Sequence, residues 1–298
     1  MTLRDLFEKY RMLNRRMRSE VTAARYICVI NQFERLLGHE PTLDDLSDDN
    51  LVLFEKSLSD LSPYSINGII GRLKTLWTWA AKRRLIETWP TIDRLPVPEP
   101  ERRAWTVEQV RALLAACEKM TASKAFHGEY DGVRATTWWR LWHLVQWETG
   151  ERTGAMLSLT WEMLTDRGLA VPGKVRKCGK SAFYVLSPTT MQELEDFRDP
   201  IRDLIFPWTL HLTSFYNHYS RLLRIAGLPT DRKCKPHKMR RTHLTYWAIG
   251  GGDPTARAQH SSAGLTTKFY LDESLMVAPS PGDFLPHLVD DGGNSDAQ

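Results

Sequence analysis

Residues 237–270 read HKMRRTHLTYWAIGGGDPTARAQHSSAGLTTKFY. The apolar spacing predicts a helix over 237–249 and a short one near 266–271, the second ending beside Tyr270. The segment closes a strongly basic stretch: from Arg221 to Arg241 there are eight cations (Arg221, Arg224, Arg232, Lys233, Lys235, Lys238, Arg240, Arg241) against one anion, Asp231. Such density repels itself unless something negative lies close by. Taken alone, it also reads as a solvated basic face.

Working outward, the whole chain has 298 residues, 42% apolar and 26% charged, the composition of a folded protein of about two domains. Disorder, collagen and small disulfide scaffolds are excluded. No run approaches the ~20 apolar residues needed to span a bilayer, and the charged start Met1-Thr2-Leu3-Arg4-Asp5 does not suit a signal peptide; the expectation is a cytoplasmic protein with no membrane partner. The four cysteines (Cys28, Cys117, Cys178, Cys234) show no CxxC spacing, which argues for reduced thiols rather than a disulfide framework or zinc ribbon. Net charge is +4, unevenly spread. Residues 1–104 hold 17 basic and 15 acidic groups, residues 105–276 hold 23 and 17, and residues 277–298 none and 4.

Periodicity divides the chain into four parts. Residues 1–88 read as a helical bundle: Thr2 and Asp5 form a capping-box pattern before Leu3, Leu6, Phe7, Tyr10 and Leu13, a second stripe runs from Val21 to Leu37 and stops near Gly38, an acidic turn precedes 51–58, and Ser62-Pro63 opens a long helix to Ala80. Residues 89–104, with Pro90, Pro96, Pro98 and Pro100, read as a linker. Residues 105–276 mix helices (from Thr106, over 138–147, 190–197, 214–226 with Gly227 as cap, and 237–249) with a β-hairpin or small sheet over 169–186, whose tip is Lys177-Cys178-Gly179-Lys180. Residues 277–298 read as a flexible tail around the apolar patch Phe284–Val289. The fold class is therefore mainly α: an N-terminal helical bundle followed by an α+β domain.

Absent motifs narrow the chemistry. The sequence has no Walker glycine loop, no GxGxxG, no HExxH and no GxSxG. Cys234, His237 and His243 are poor candidates for zinc because Lys233, Lys235 and Lys238 crowd the same segment.

What remains is a set of cations and one late tyrosine, and their order resembles the tyrosine recombinase (phage integrase) family. The resemblance begins at Thr149-Gly150-Glu151-Arg152 with Leu157, Leu159 and Trp161 downstream. It continues through Lys177-Cys178-Gly179-Lys180, His237-Lys238-Met239-Arg240 with Thr242, Gly251-Gly252-Asp253, His260-Ser261-Ser262, Thr266-Thr267 and Tyr270. It covers residues 105–275 in order, whereas residues 1–88 match the family's DNA-clamping, core-binding (SAM-like) domain only in size and helicity. An HxxR match is weak by itself, and His218-Tyr219-Ser220-Arg221 is a second one; it lacks the following pattern and reads as structural or as a phosphate contact. Three residues after the first arginine, where the family carries an acid, stands Ala155, with Glu148 and Glu151 as the available substitutes. The spacing from Arg240 to His260 is about one helical turn short.

The resemblance implies the following roles. Two guanidiniums, Arg152 and Arg240, hold a phosphodiester and stabilise the charge of its pentavalent transition state without metal or cofactor. His237 donates to the same phosphate, and His260 supports it or the tyrosine. Tyr270 attacks to give a 3′-phosphotyrosyl enzyme, its phenol (ordinary pKa near 10) made a better nucleophile by the cations. Lys177 protonates the departing 5′ oxygen, with Lys180 as its substitute. Arg72, Lys74, Arg83, Arg84, Lys180 and Arg241 are candidates for contacts along double-stranded DNA. The implied partners are duplex DNA, three further copies in a tetramer assembled on DNA through exchange of the tail, and an accessory DNA-bending protein. A type IB topoisomerase-like relaxase and a catalytically degenerate DNA-binding regulator are the competing readings.

Overall fold

Thr2 opens the first helix because its hydroxyl accepts the Asp5 N–H at 3.2 Å while the Asp5 carboxylate accepts the Thr2 N–H at 3.1 Å, relieving two of the donors every helix start leaves bare. The computed structural model describes residues 1–276 other than Arg16, Arg18, Pro100 and residues 121–128. The tail 277–298, with its Phe284–Val289 patch, lies outside the described residues. The chain divides into two compact units, Met1–Glu99 and Pro100–Gln298.

In the first unit the helices are α1 (Leu3–Leu13), α2 (Glu20–Leu37), α3 (Asp48–Ser57) and α4 (Pro63–Lys82). Gly38 ends α2 in the left-handed conformation at φ 76°, which a residue without a Cβ adopts at little cost. Ser62 caps α4 and Pro63 takes its first position. The apolar faces meet in a core containing Leu3, Phe7, Ile30, Phe33, Leu51 and Leu73. Residues after α4 stay on this unit: Thr91 N–H donates to Asp48, and Asn67 exchanges two hydrogen bonds with the Leu95 backbone.

The second unit is built on α6 (Ala135–Thr149), which packs against α5 (Val107–Cys117), α8 (Pro188–Phe197) and α10 (His237–Ile249). Trp138, Trp139 and Trp142 on α6 and Trp105 before α5 are fully buried; each such side chain contributes on the order of 1.5–3 kcal/mol or more through loss of apolar surface. The tryptophans therefore belong to the core. His218 on α9 (Leu212–Ile225) is half-buried at the edge of that core, its Nδ1 2.6 Å from the Tyr130 hydroxyl.

The expected hairpin is part of a three-stranded antiparallel sheet in the order β3 (Leu164–Thr165), β4 (Gly168–Val171), β5 (Ala182–Val185), with Leu169 opposite Tyr184. Five short elements escape periodicity: β1 (Glu129–Tyr130) and β2 (Val133–Arg134), which pair with each other, β3 itself, and the helices α7 (Thr153–Met156) and α11 (Pro254–Ala258). Two to five residues are too few to display a period. The last α-helix among the described residues, α12 (Ala263–Tyr270), starts three residues before the expected 266 because Ser262 caps it, its Oγ accepting the Leu265 N–H at 3.3 Å.

Candidate active site

Gly150 makes the first half of the site possible. It ends α6 at φ 62°, and a Cβ there would lie 2.4 Å from the His243 ring, so only glycine lets α6 and α10 approach this closely. Its carbonyl is then free to accept Arg240 Nη1 at 2.8 Å, while Nη2 of the same guanidinium donates to Ala258 O at 3.2 Å. Arg240 is 1% exposed, and its Nε has no hydrogen-bond partner among the described residues. An unpartnered donor on a buried cation is costly unless an anion completes it.

His237 and Arg240 lie three residues apart on α10 and so share a face. Tyr270, the last residue of α12, is carried to that face: its ring centroid lies 4.5 Å from His260, 5.3 Å from His237 and 5.6 Å from the Arg240 guanidinium carbon. Thr245 Oγ1 on α10 donates to Tyr270 O at 3.3 Å and accepts the Asp272 N–H at 3.1 Å, fixing the chain on both sides of the phenol.

Arg152 stands near enough to lower the proton affinity of Arg240, His237 and His260. Among the described residues its own guanidinium has no hydrogen-bond or ion-pair partner. Partial desolvation, then Arg240, Arg241 and Arg152, push His237 down to about 4, although the residue as a whole is exposed. Burial, then Arg240 and Arg152, bring His260 to about 4 as well. Both imidazoles are neutral at pH 7. Nδ1 of His260 lies 2.9 Å from Thr266 Oγ1, and its Nε2 is buried without a partner among the described residues. Thr266 Oγ1 accepts from Thr255 and donates to Ser262 O, so the arrangement that satisfies all three groups places the His260 proton on Nδ1 and leaves Nε2 as an acceptor.

Five of the six residues expected to carry chemistry thus converge. No family model matches the chain, and no curated protein matches it. Solved structures do. A lambda integrase dimer bound to a COC′ core site superposes with a TM-score of 0.67 at 18% identity, over 88% of this chain and 96% of that one. The Tn1549 transposon integrase in complex with circular intermediate DNA gives 0.66 at 16% identity, over 91% and 96%. A lambda integrase tetramer on a Holliday junction gives 0.63 at 16%, over 94% and 80%. The chain has the tyrosine recombinase fold.

Within the tyrosine recombinase fold the remaining expected residues are placed as follows. Lys177 and Lys180 sit exposed in the turn between β4 and β5, their ammonium groups without partners among the described residues. Arg241 is half-buried, with Nε donating to Phe269 O at 3.3 Å and Nη1 to Arg103 O at 3.2 Å. On the first unit, Arg72 donates to Gly68 O, Lys74 to Ile92 O, Arg83 lies 4.0 Å over the Trp79 ring, and Arg84 follows at a positive φ of 58°.

Sequence reasoning missed Arg176, Tyr184, Gln259, His243 and Arg257. Of the two acids weighed against Ala155, Glu148 accepts from Ser187 and Thr190 at the start of α8. Glu151 is the one that enters the site. It is 1% exposed, its Oε1 accepting Arg176 Nε at 2.5 Å and the Tyr184 hydroxyl at 2.6 Å, and its Oε2 the Arg152 N–H at 3.2 Å. Burial opposes its ionisation, but the Tyr184 hydroxyl and the Arg176 and Arg240 guanidiniums outweigh it and hold the carboxyl below its ordinary range. Arg257 lies between the Tyr184 and Trp247 rings at 4.6 and 4.3 Å and donates to Glu148 O and His243 Nε2.

Proposed function

We propose that the chain is a site-specific DNA recombinase that cuts and rejoins strands through a 3′-phosphotyrosyl intermediate on Tyr270, using neither metal nor ATP. The observation that carries this reading is the pair of buried nitrogens without a partner among the described residues, Arg240 Nε and His260 Nε2, beside the Tyr270 ring. They suit an anion with a proton to manage, which is what a phosphodiester under attack by a phenol presents.

In the reaction, Arg240, Arg152 and His237 hold the scissile phosphate. Tyr270 Oη forms the new P–O bond as the P–O5′ bond breaks, the phenolic proton passes to His260 Nε2, and Lys177 supplies the proton that the 5′ oxygen takes. The phosphotyrosyl bond retains the phosphodiester energy, so the 5′ hydroxyl of another strand reverses the step. Arg72, Lys74, Arg83, Arg84, Lys180 and Arg241 bind the duplex backbone, with Arg72, Lys74 and Arg241 exchanging their carbonyl partners for phosphate. By likeness to the integrase tetramer on a Holliday junction, four copies assemble on DNA, with the tail 277–298 docking on a neighbour and an accessory protein bending the DNA. Such a protein works in the cytoplasm on the nucleoid.

Selection from a random-sequence duplex pool by the Tyr270→Phe protein defines the binding site. A nicked suicide duplex carrying that site then traps a covalent adduct with the wild type and none with Tyr270→Phe. An adduct that persists in Tyr270→Phe overturns the nucleophile. Tight binding with no adduct from the wild type favours the regulator, the second reading that Ala155 supports, and relaxation of supercoiled DNA lacking the site favours the topoisomerase.

A further inference from the structure

Glu151, Arg176 and Gln259 form one hydrogen-bonded cluster, and each immediately precedes a residue of the proposed chemistry: Arg152, Lys177 and His260. Arg176 is 4% exposed and directs its donors to four partners, two of them distant in sequence and two within its own hairpin: Glu151 Oε1 at 2.5 Å, Gln259 Oε1 at 2.5 Å, Lys180 O at 2.7 Å and the Tyr184 hydroxyl at 3.0 Å. Arg176 is extended at φ −103°, ψ 136°. Successive side chains of an extended chain point opposite ways, so anchoring Arg176 inward directs Lys177 outward. The exposure pattern follows, Arg176 buried and Lys177 exposed.

Gln259 grips the same turn from the far side. Its Oε1 accepts from Arg176 and, at 3.6 Å, from Cys178 Sγ, while its Nε2 donates to Ser181 O at 2.8 Å. One amide therefore brackets Lys177 on both flanks. Gln259 does so from a left-handed backbone at φ 52°, ψ 42°, a conformation that is unfavourable for glutamine and that glycine or asparagine adopts more readily. A strained residue held by three side-chain bonds to one turn is better explained by what that turn carries than by packing.

We propose that Arg176 and Gln259 are positioning residues that clamp the β4–β5 turn to the segment before His260 and so set Lys177 against the leaving 5′ oxygen. The inference rests on the reading of Lys177 as the general acid. It goes further in assigning the acid's placement to an amide on a different element.

The test is single-turnover cleavage of the selected nicked duplex with either an ordinary 5′ oxygen or a bridging 5′ sulfur at the scissile phosphate. Sulfur leaves as a thiolate and needs no acid. Arg176 variants strand the buried Glu151 carboxylate, so the variants are Gln259→Asn and Gln259→Gly, both compatible with the backbone at 259. Lys177→Ala should slow cleavage of the oxygen substrate by about a hundredfold or more, and Gln259→Asn by roughly ten- to a hundredfold through misplacement of the acid. Both should cleave the sulfur substrate within about twofold of wild type. If Lys177→Ala is rescued by sulfur while Gln259→Asn and Gln259→Gly are slowed equally on both substrates, or not slowed at all, the clamp is wrong and the general acid stands. If sulfur fails to rescue Lys177→Ala, the acid assignment itself falls.

Discussion

A carboxylate taken out of water needs a cation and further donors to remain charged, and Glu151 has Arg176, Tyr184 and the Arg152 N–H. Both members of the Glu151–Arg176 pair are almost fully buried. Glu151→Gln leaves the guanidinium uncompensated and should lower unfolding free energy by about 3–5 kcal/mol. Glu151→Gln combined with Arg176→Met should recover part of that loss, because no orphan charge remains. Urea midpoints of the two single variants and the double variant check this; a double variant as unstable as Glu151→Gln would mean that the pair is not the unit that matters. The sequence made Glu151 visible as an acid near Ala155, but the cation it needs was hidden. Arg176 reads as one more charge in a basic tip, and only the strand geometry, which turns it inward while Lys177 faces out, separates the two.

Elements bounded by local chemistry were legible. The Thr2–Asp5 capping box, the Gly38 stop and the 237–249 helix follow from residues within four positions of one another, and α10 has the expected ends. The anchoring of α12 depends instead on partners far along the chain, which periodicity does not encode. Asp272 is 3% exposed; its Oδ2 accepts the Ala104 N–H at 2.7 Å, and its Oδ1 accepts both the N–H and hydroxyl of Ser274. Arg102 adds a bond to Thr267 O at 3.0 Å and Arg103 one to Ser274 Oγ at 2.7 Å. The strand of chain at 102–104 thus straps the segment that carries Tyr270. Asp272→Ala removes the central acceptor and leaves a buried N–H bare, a loss of about 1–3 kcal/mol confined to this segment. Amide hydrogen exchange should accelerate at 267–276 and remain unchanged along α6; uniform acceleration across the unit would show that the strap supports the whole fold rather than the tyrosine.

At the scale of the molecule the two units differ in what acid does to them. In the second unit His143 and His243 are buried, 0% and 6% exposed, and burial brings each down to about 4 from an ordinary value near 6.5. His143 stays neutral with Nδ1 2.6 Å from Trp139 O, and His243 with Nδ1 2.6 Å from Trp147 O. Between pH 6.5 and 4 the unfolded chain takes up protons at these positions and the folded unit does not, so its stability rises with pH across that window and is lost as pH falls. Each histidine contributes about 3 kcal/mol of that loss by pH 4, and two of them approach the ~5–15 kcal/mol that holds a typical domain together. In the first unit the one histidine is His39, exposed and paired with Asp45 at 3.1 Å; the Leu37 carbonyl and then Asp45 raise its pKa, so its contribution persists in acid instead of vanishing. Acid should therefore unfold the second unit first. Hydrogen exchange at pH 4.5 should find α6 and α10 unprotected while α2 and α4 retain protection, and His143→Gln, which has no charge to gain, should shift the transition of the second unit toward lower pH. Simultaneous loss of protection in both units, or a transition that His143→Gln leaves where it was, would mean that buried imidazoles do not set the acid limit.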